Sequence, residues 1–209
     1  MTSTRSRPLD PFYPILDSAE WIARLLPQGL RLVQLRVKDK PAPAIHNEIV
    51  EAKRLCDAAG AQLVVNDYWR AAIELGCDYI HLGQEDLDSA DIDAIRRHGI
   101  RIGISTHDEA ELDRALALAP DYVALGPIYF TRLKAMRFEP QGLDKLALWK
   151  TRIGATPLIG IGGVSLERAA GVLEAGADVA AVVTDITLNL DPEARTRDWV
   201  AATRSYCRV

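Results

Sequence analysis

The sequence predicts an α/β chain folded as a single (β/α)8 barrel, and three observations carry that expectation. Short, continuously apolar runs rich in Val, Ile and Leu recur at residues 12–16, 30–35, 62–65, 79–82, 100–104, 122–125, 157–161 and 179–183. Eight β-strands covered on both faces read this way. Longer stretches of helical period separate them, so strand and helix alternate as the βαβ units of a parallel sheet. Small, polar or charged residues then gather at or just past the C-terminal ends of seven of the runs. On a TIM barrel those ends share one face, where the active site is built. Eight units favour closure over an open, doubly wound sheet, the other arrangement such a pattern allows.

Taken in order, the run 12–16 leads into an amphipathic stretch at 18–26, with Ser18 as its N-cap. The run 30–35 precedes a helical stretch at 44–59, which Gly60 closes before 62–65. Gly76, Gly99 and Gly176 stand in the same position before later strands. Helical stretches at 88–98, 108–117 and 165–175 are opened by Asp88, Asp108 and Ser165. Trp21, Trp69, Trp149 and Trp199 all fall on helical segments, where a tryptophan packs more often than it stacks on a ligand. The longest loop, 126–142, follows the sixth strand, and a loop of that length on a compact domain is usually functional.

Composition bounds the function classes. With 209 residues, 48% hydrophobic and 26% charged, the chain can bury a sizeable core as one domain. Its 25 Lys+Arg against 29 Asp+Glu give a net charge of −4, which disfavours a general grip on nucleic acid or on an anionic membrane. No apolar stretch reaches the roughly 18 to 20 residues a membrane span needs, and the N-terminus has no apolar leader core, so a cytoplasmic protein is expected. Cys56, Cys77 and Cys207 are odd in number and form neither a CxxC nor a Cys/His cluster. They read as buried or incidental thiols.

The chemistry-bearing residues sit at the strand ends. Asn66-Asp67 ends the third strand and Gln84-Glu85-Asp86 follows the fourth. Carboxylates on neighbouring strand ends can share a hard cation, and Mg²⁺ suits Asp67 and Asp86 because it takes one or two carboxylates and keeps water or phosphate oxygens. The alternative is that each Asp merely caps a helix. Gln34, Arg36 and Lys38 alternate with Leu35 and Val37, so period-2 geometry sends all three the same way, towards an anionic ligand or the pocket's own acids. Otherwise they form a solvated strand end. Gly162-Gly163, between a strand and a helix opened by Ser165, lets backbone N–H groups approach a phosphate. Loops after strands 7 and 8 often hold phosphate on this fold, and Val183-Thr184 ends the eighth. Thr131, Arg132 and Lys134 lie on the long loop, and Ser105 offers a hydroxyl donor with no His–Asp partnership to mark it as a nucleophile. His81, within a strand, reads as a packed residue; His46 and His98 read as helix surface; His107 alone stands near the expected face.

Together these residues resemble the thiamine-phosphate synthases. The motifs are VQLRVKDK (33–40), VVNDYWRAAIELGCDYIHLGQEDL (64–87), IGISTH (102–107), YVALGPIYFTRLK (122–134) and PLIGIGGV followed by AGADVAAVVTDI. The resemblance implies a barrel enzyme that joins hydroxymethylpyrimidine diphosphate to thiazole phosphate and releases pyrophosphate. It further implies that Gln34, Arg36, Lys38, Asn66 and Ser105 meet the pyrimidine diphosphate, that Asp67 and Asp86 hold Mg²⁺, and that Lys134 contacts the leaving diphosphate. Thr131, Gly162, Gly163, Val183 and Thr184 would hold the thiazole phosphate. Arg36, Lys38, Ser105 and Lys134 are then the residues expected to act on the bond being broken, and a homo-oligomer is possible. Two departures stand out: Leu133 occupies a position where the family commonly has Thr, and Thr184 one where Ser is usual. Leu133 has no hydroxyl to offer a phosphate, and Arg132 beside it is expected to supply part of that hydrogen bonding instead. A thiazole-isomerising paralogue is disfavoured because Gly126 is followed by Pro127 rather than His. A phosphate-sensing barrel without activity is disfavoured by the retained Asp67, Asp86 and Lys134.

Overall fold

The computed structural model describes residues 8–131 and 138–207. Eight parallel strands close into a barrel in sequence order: β1 (Phe12–Leu16), β2 (Leu32–Leu35), β3 (Gln62–Asn66), β4 (Tyr79–Leu82), β5 (Arg101–Thr106), β6 (Tyr122–Leu125), β7 (Leu158–Gly160) and β8 (Val179–Val182). Closure is made by β1 against β8, with Phe12, Tyr13 and Pro14 opposite Ala180, Ala181 and Val182. The helices that follow are α1 (Ala19–Leu25), α2 (Ala42–Ala59), α3 (Trp69–Glu74), α4 (Ile92–Arg97), α5 (Glu109–Ala117), α6 (Gly142–Ile153), α7 (Leu166–Glu174), α8 (Thr184–Thr187) and α9 (Pro192–Thr203). The expected fold class is therefore the observed one.

Element ends shift where local hydrogen bonds override the apolar pattern. β5 runs two residues beyond the expected 104, because Ser105 and Thr106 still pair with Ala124 and Leu125 and the Thr106 hydroxyl donates to the Ala124 carbonyl at 3.0 Å. The expected helix at 88–98 is shorter and later. Asp91 accepts from the Ala94 N–H at 2.8 Å and so starts α4, while 86–88 form a single 3₁₀ turn. Ser165 takes the N-cap position of α7, but its hydroxyl bonds the Glu167 side chain and caps no backbone N–H.

Alternation along each strand divides the core in two. One set of side chains packs between strands and helices, including Leu16, Leu35, Val65, Leu82, Ile104, Trp149 and Trp199. The other fills the barrel itself: Tyr13, Ile15, Leu32, Val64, Tyr79, Tyr122, Ala124, Ile159, Val179 and Ala181. Three tyrosines fit inside because β5 yields space. A Cβ placed on Gly103 would lie 1.9 Å from the Tyr122 ring. Gly103 is thus a packing requirement, the floor on which Tyr122 rests.

Gly103→Ala is expected to destabilise by about 2 kcal/mol or more, since the interior has no slack to absorb the methyl. Tyr122→Phe should not relieve it, because the clashing atoms are ring carbons, whereas Tyr122→Leu should recover part of the loss. Equal urea midpoints for wild type and Gly103→Ala would contradict this packing.

Candidate active site

The barrel mouth is built from strand ends, and β2 contributes first. Gln34 is buried on the inner face at 2% exposure. Past the last paired residue the chain stays extended: the Arg36 N–H donates to the Leu16 carbonyl at 2.8 Å, and the Tyr68 hydroxyl donates to the Val37 carbonyl at 3.1 Å. Leu35 and Val37 are buried against the helices, while Arg36 and Lys38 emerge at the mouth. The period-2 expectation for this segment therefore holds beyond the strand itself.

Lys38 forms an ion pair with Asp67. Asp67 follows buried Asn66 and adopts φ +65°, a left-handed conformation that costs a non-glycine residue free energy. It is held there by its N–H, which donates to the His81 carbonyl at 2.9 Å, and by its carbonyl, which accepts from the Trp69 N–H at 2.8 Å. From the next strand end, Asp86 accepts from the Gly83 N–H at 3.0 Å. Burial first, and the adjacent Asp67 carboxylate second, raise the Asp86 carboxyl above its usual range. Neither aspartate caps a helix: Tyr68 stands at the α3 cap position and Glu85 at that of the 3₁₀ turn, both without side-chain capping. Two carboxylates side by side, repelling each other, form a donor set for a hard divalent cation. Among the described residues no larger cluster of His, Cys, Asp and Glu could hold a metal.

Across the mouth, one cleft is lined by Thr131, Ile161, Gly162, Gly163, Val164, Ala181, Val182, Val183 and Thr184. It brings together Thr131, Gly162, Gly163, Val183 and Thr184, the residues expected to meet the thiazole phosphate. Gly162 and Gly163 adopt φ +94° and +65°. Their second role has no signature in the sequence: a Cβ on Gly162 would lie 2.6 Å from Pro127, and one on Gly163 2.4 Å from the Phe130 carbonyl. The loops after β6 and β7 are zipped together there, Ile128 and Tyr129 N–H donating to the Ile161 and Gly162 carbonyls at 2.8 and 2.9 Å. Arg132, Leu133 and Lys134, and with them the expected role of Arg132, lie outside the described residues.

The profile described as thiamine monophosphate synthase matches residues 12–186. The chain belongs to the thiamine monophosphate synthase family. It is 63% identical over 201 residues to a thiamine-phosphate synthase of Rhizobium etli, covering 96% of this chain and 98% of that one. To a thiamine-phosphate synthase of Cronobacter sakazakii it is 48% identical over 192 residues, covering 92% and 88%. The solved thiamine phosphate pyrophosphorylase from Pyrococcus furiosus shares the fold, with a TM-score of 0.83 at 23% identity over 94% of this chain and 96% of that one. Family membership makes the chain an enzyme, a transferase.

Two features of this synthase-family barrel are not visible in the sequence pattern. Asp185, next to Thr184, accepts from the Leu166 N–H at 3.2 Å, the Trp199 indole at 2.7 Å and Arg195 at 2.8 and 2.9 Å. Arg195 continues to Glu167, whose carboxyl it pulls down to about 2. One carboxylate thereby ties α8 to the first turn of α7 and to α9. The acid–base spacing of 185 and 195 is the available signal, but nothing local shows that the two helices face each other. The second feature is His81, whose Nε2 lies 2.8 Å from the Ser105 Oγ and whose Nδ1 lies 2.8 Å from the Tyr122 hydroxyl. His107, by contrast, bonds Glu111 and stacks on Phe138, with ring centroids 4.5 Å apart. Among the described residues no helix is long and apolar enough to cross a membrane.

Burial depresses the His81 imidazole from its ordinary 6.5 to about 4. The unfolded chain therefore binds more protons than the native one between those values. This contribution to stability is full above about pH 6.5 and is lost as pH falls towards 4, by on the order of 3 kcal/mol. Denaturant unfolding at pH 7 and pH 4.5 should show a smaller pH-dependent loss for His81→Asn than for wild type. Parallel losses in the two proteins would mean that His81 is not buried as a neutral ring.

Proposed function

We propose that this chain makes thiamine phosphate by joining hydroxymethylpyrimidine diphosphate to thiazole phosphate, releasing pyrophosphate with the help of a divalent cation, Mg²⁺ in the first instance. The observation that carries this reading is the pairing of two sites at one barrel mouth. The adjacent carboxylates Asp67 and Asp86 stand with Lys38 on the side of β2 to β4, and the glycine-lined cleft of Thr131, Gly162, Gly163 and Thr184 stands on the side of β6 to β8. One half suits a diphosphate and its cation, the other a monophosphate. The relatives' name, thiamine-phosphate synthase, agrees with the product.

Held by Asp67 and Asp86, the cation would spread the negative charge that grows on the departing diphosphate. Arg36 and Lys38 meet the same charge from the β2 end, where both side chains are exposed and Lys38 pairs with Asp67. Lys38 is pre-positioned by its ion pair with Asp67, so a second anion can share it without a large rearrangement. Asn66, Gln34 and Ser105 orient the pyrimidine ring from the inner wall. Thr131, the N–H groups around Gly162 and Gly163, and Thr184 anchor the thiazole phosphate, so that the ring nitrogen faces the carbon losing its diphosphate. Such a displacement through a ring-stabilised cation needs no protein nucleophile. Ser105 fits a binding role rather than a nucleophilic one, because the His81 ring beside it is depressed to about 4 by burial and is engaged on both nitrogens. Lys134 is assigned to the leaving diphosphate on the sequence resemblance.

The test is pyrophosphate release with both substrates and Mg²⁺, each omitted in turn. Release is expected only with all three. Asp67→Asn and Asp86→Asn are expected to lower turnover on the order of a hundredfold with melting temperatures little changed. Full activity in excess chelator would sink the metal assignment, and ligand binding without turnover would make the chain a sensor.

A further inference from the structure

A thread of polar groups crosses the barrel interior and joins two residues of the proposed pyrimidine site. The Gln34 Nε2 donates to the Tyr13 hydroxyl at 2.8 Å, and the Tyr13 and Tyr122 hydroxyls are 3.2 Å apart. The Tyr122 hydroxyl meets the His81 Nδ1 at 2.8 Å, and the His81 Nε2 meets the Ser105 Oγ at 2.8 Å. The five residues come from β2, β1, β6, β4 and β5. Tyr13, Tyr122, His81 and Gln34 are all buried.

Proton counting orients the thread. A phenol has one proton. Tyr13, accepting from the Gln34 amide, has its own proton to give to Tyr122, and Tyr122 then gives its proton to the His81 Nδ1. A neutral imidazole accepting at Nδ1 carries its proton on Nε2, which donates to the Ser105 Oγ. Ser105, already accepting, turns its O–H outward. At the other end, the bond from Nε2 to Tyr13 fixes the rotation of the Gln34 amide: its NH₂ side faces the thread, and its carbonyl oxygen is left as the acceptor edge.

We propose that Tyr13, Tyr122 and His81 are positioning residues that fix the hydrogen-bond polarity of the pyrimidine site, making Gln34 an acceptor and Ser105 a donor towards the substrate. This rests on the proposed placement of the pyrimidine between Gln34 and Ser105. An aminopyrimidine offers an amino donor and ring-nitrogen acceptors, which match that polarity. With the exocyclic group on Gln34 and the adjacent ring nitrogen on Ser105, the corresponding oxo-pyrimidine sets its oxygen against the Gln34 carbonyl and its ring N–H against the Ser105 hydroxyl, so both contacts are opposed. The thread is therefore a specificity device: it selects amino over oxo rings from a distance, through protons that the substrate never touches.

Two measurements test it. In the free protein, the side-chain nitrogen resonances of His81, assigned by comparison with His81→Gln, are expected to show one proton, on Nε2. A proton on Nδ1, or a doubly protonated ring at neutral pH, would overturn the proposed polarity. In steady-state assays, Tyr122→Phe and Tyr13→Phe keep the ring volume while cutting the thread. Each is expected to raise KM for the aminopyrimidine diphosphate roughly three- to tenfold, leave KM for thiazole phosphate unchanged, and narrow the preference over the oxo analogue by a similar factor. If the tyrosines serve packing alone, the variants will melt earlier with the same amino/oxo ratio as wild type, and the proposal falls. Should wild type release no pyrophosphate at all, the proposed function fails instead, and the His81 resonances still decide the polarity.

Discussion

A closed parallel barrel turns alternate side chains of every strand into an interior that its own strands seal, and that interior must be filled and its polar atoms paired. This chain fills it with three tyrosines, and Tyr122 is the one on which the rest depends. Its ring occupies the space left by Gly103, stacks against His81 with centroids 5.6 Å apart, and meets Tyr13 edge-on at 6.4 Å. Its hydroxyl joins two further polar groups. Large rings fill the interior, and each brings a hydroxyl that needs a partner: Tyr13 and Tyr122 answer each other, and Tyr79 is answered by Arg101.

The same alternation places the charge. A residue pointing inward at the middle of a strand meets packed rings, while one two positions later emerges at the mouth, as with Gln34, Arg36 and Lys38 on and beyond β2. Two acidic strand ends come together at that mouth with Lys38 as counter-ion. On the far side of the mouth, the glycine-lined cleft is shaped by close backbone approach as much as by any affinity for phosphate. Gly162 and Gly163 are the positions where two loops touch. Asp185 then braces the cleft from behind, binding α7 and α9 to α8.

Much of this is legible in the sequence because it depends on short-range pattern. Apolar runs mark the strands, period-2 spacing orients Gln34, Arg36 and Lys38, and the αL glycines Gly60, Gly76, Gly99 and Gly176 stop helices at positive φ as their positions imply. Strand and helix ends are less legible where a single hydrogen bond decides them, as Asp91 does for α4 and the Thr106 hydroxyl does for β5. His81 reads rightly as packed, yet its partners Tyr122 and Ser105 are 41 and 24 residues away, and no local pattern links them.

By itself, then, the sequence determined the alternation of strand and helix, the face on which functional groups collect, and the family, because periodicity, caps and motifs act over a few residues. Tertiary structure alone decided what those groups do to one another. That Asp67 and Asp86 repel rather than cap helices follows from the adjacency of β3 and β4 and from the positive φ at Asp67. That Gly103 exists for Tyr122, and Asp185 for Arg195 and Trp199, follows from contacts made only when the barrel closes and its helices wrap it. Through-space proximity is the physical reason: a hydrogen bond or a ring contact depends on distance in space, and only the folded chain brings residues far apart in sequence close enough to make one.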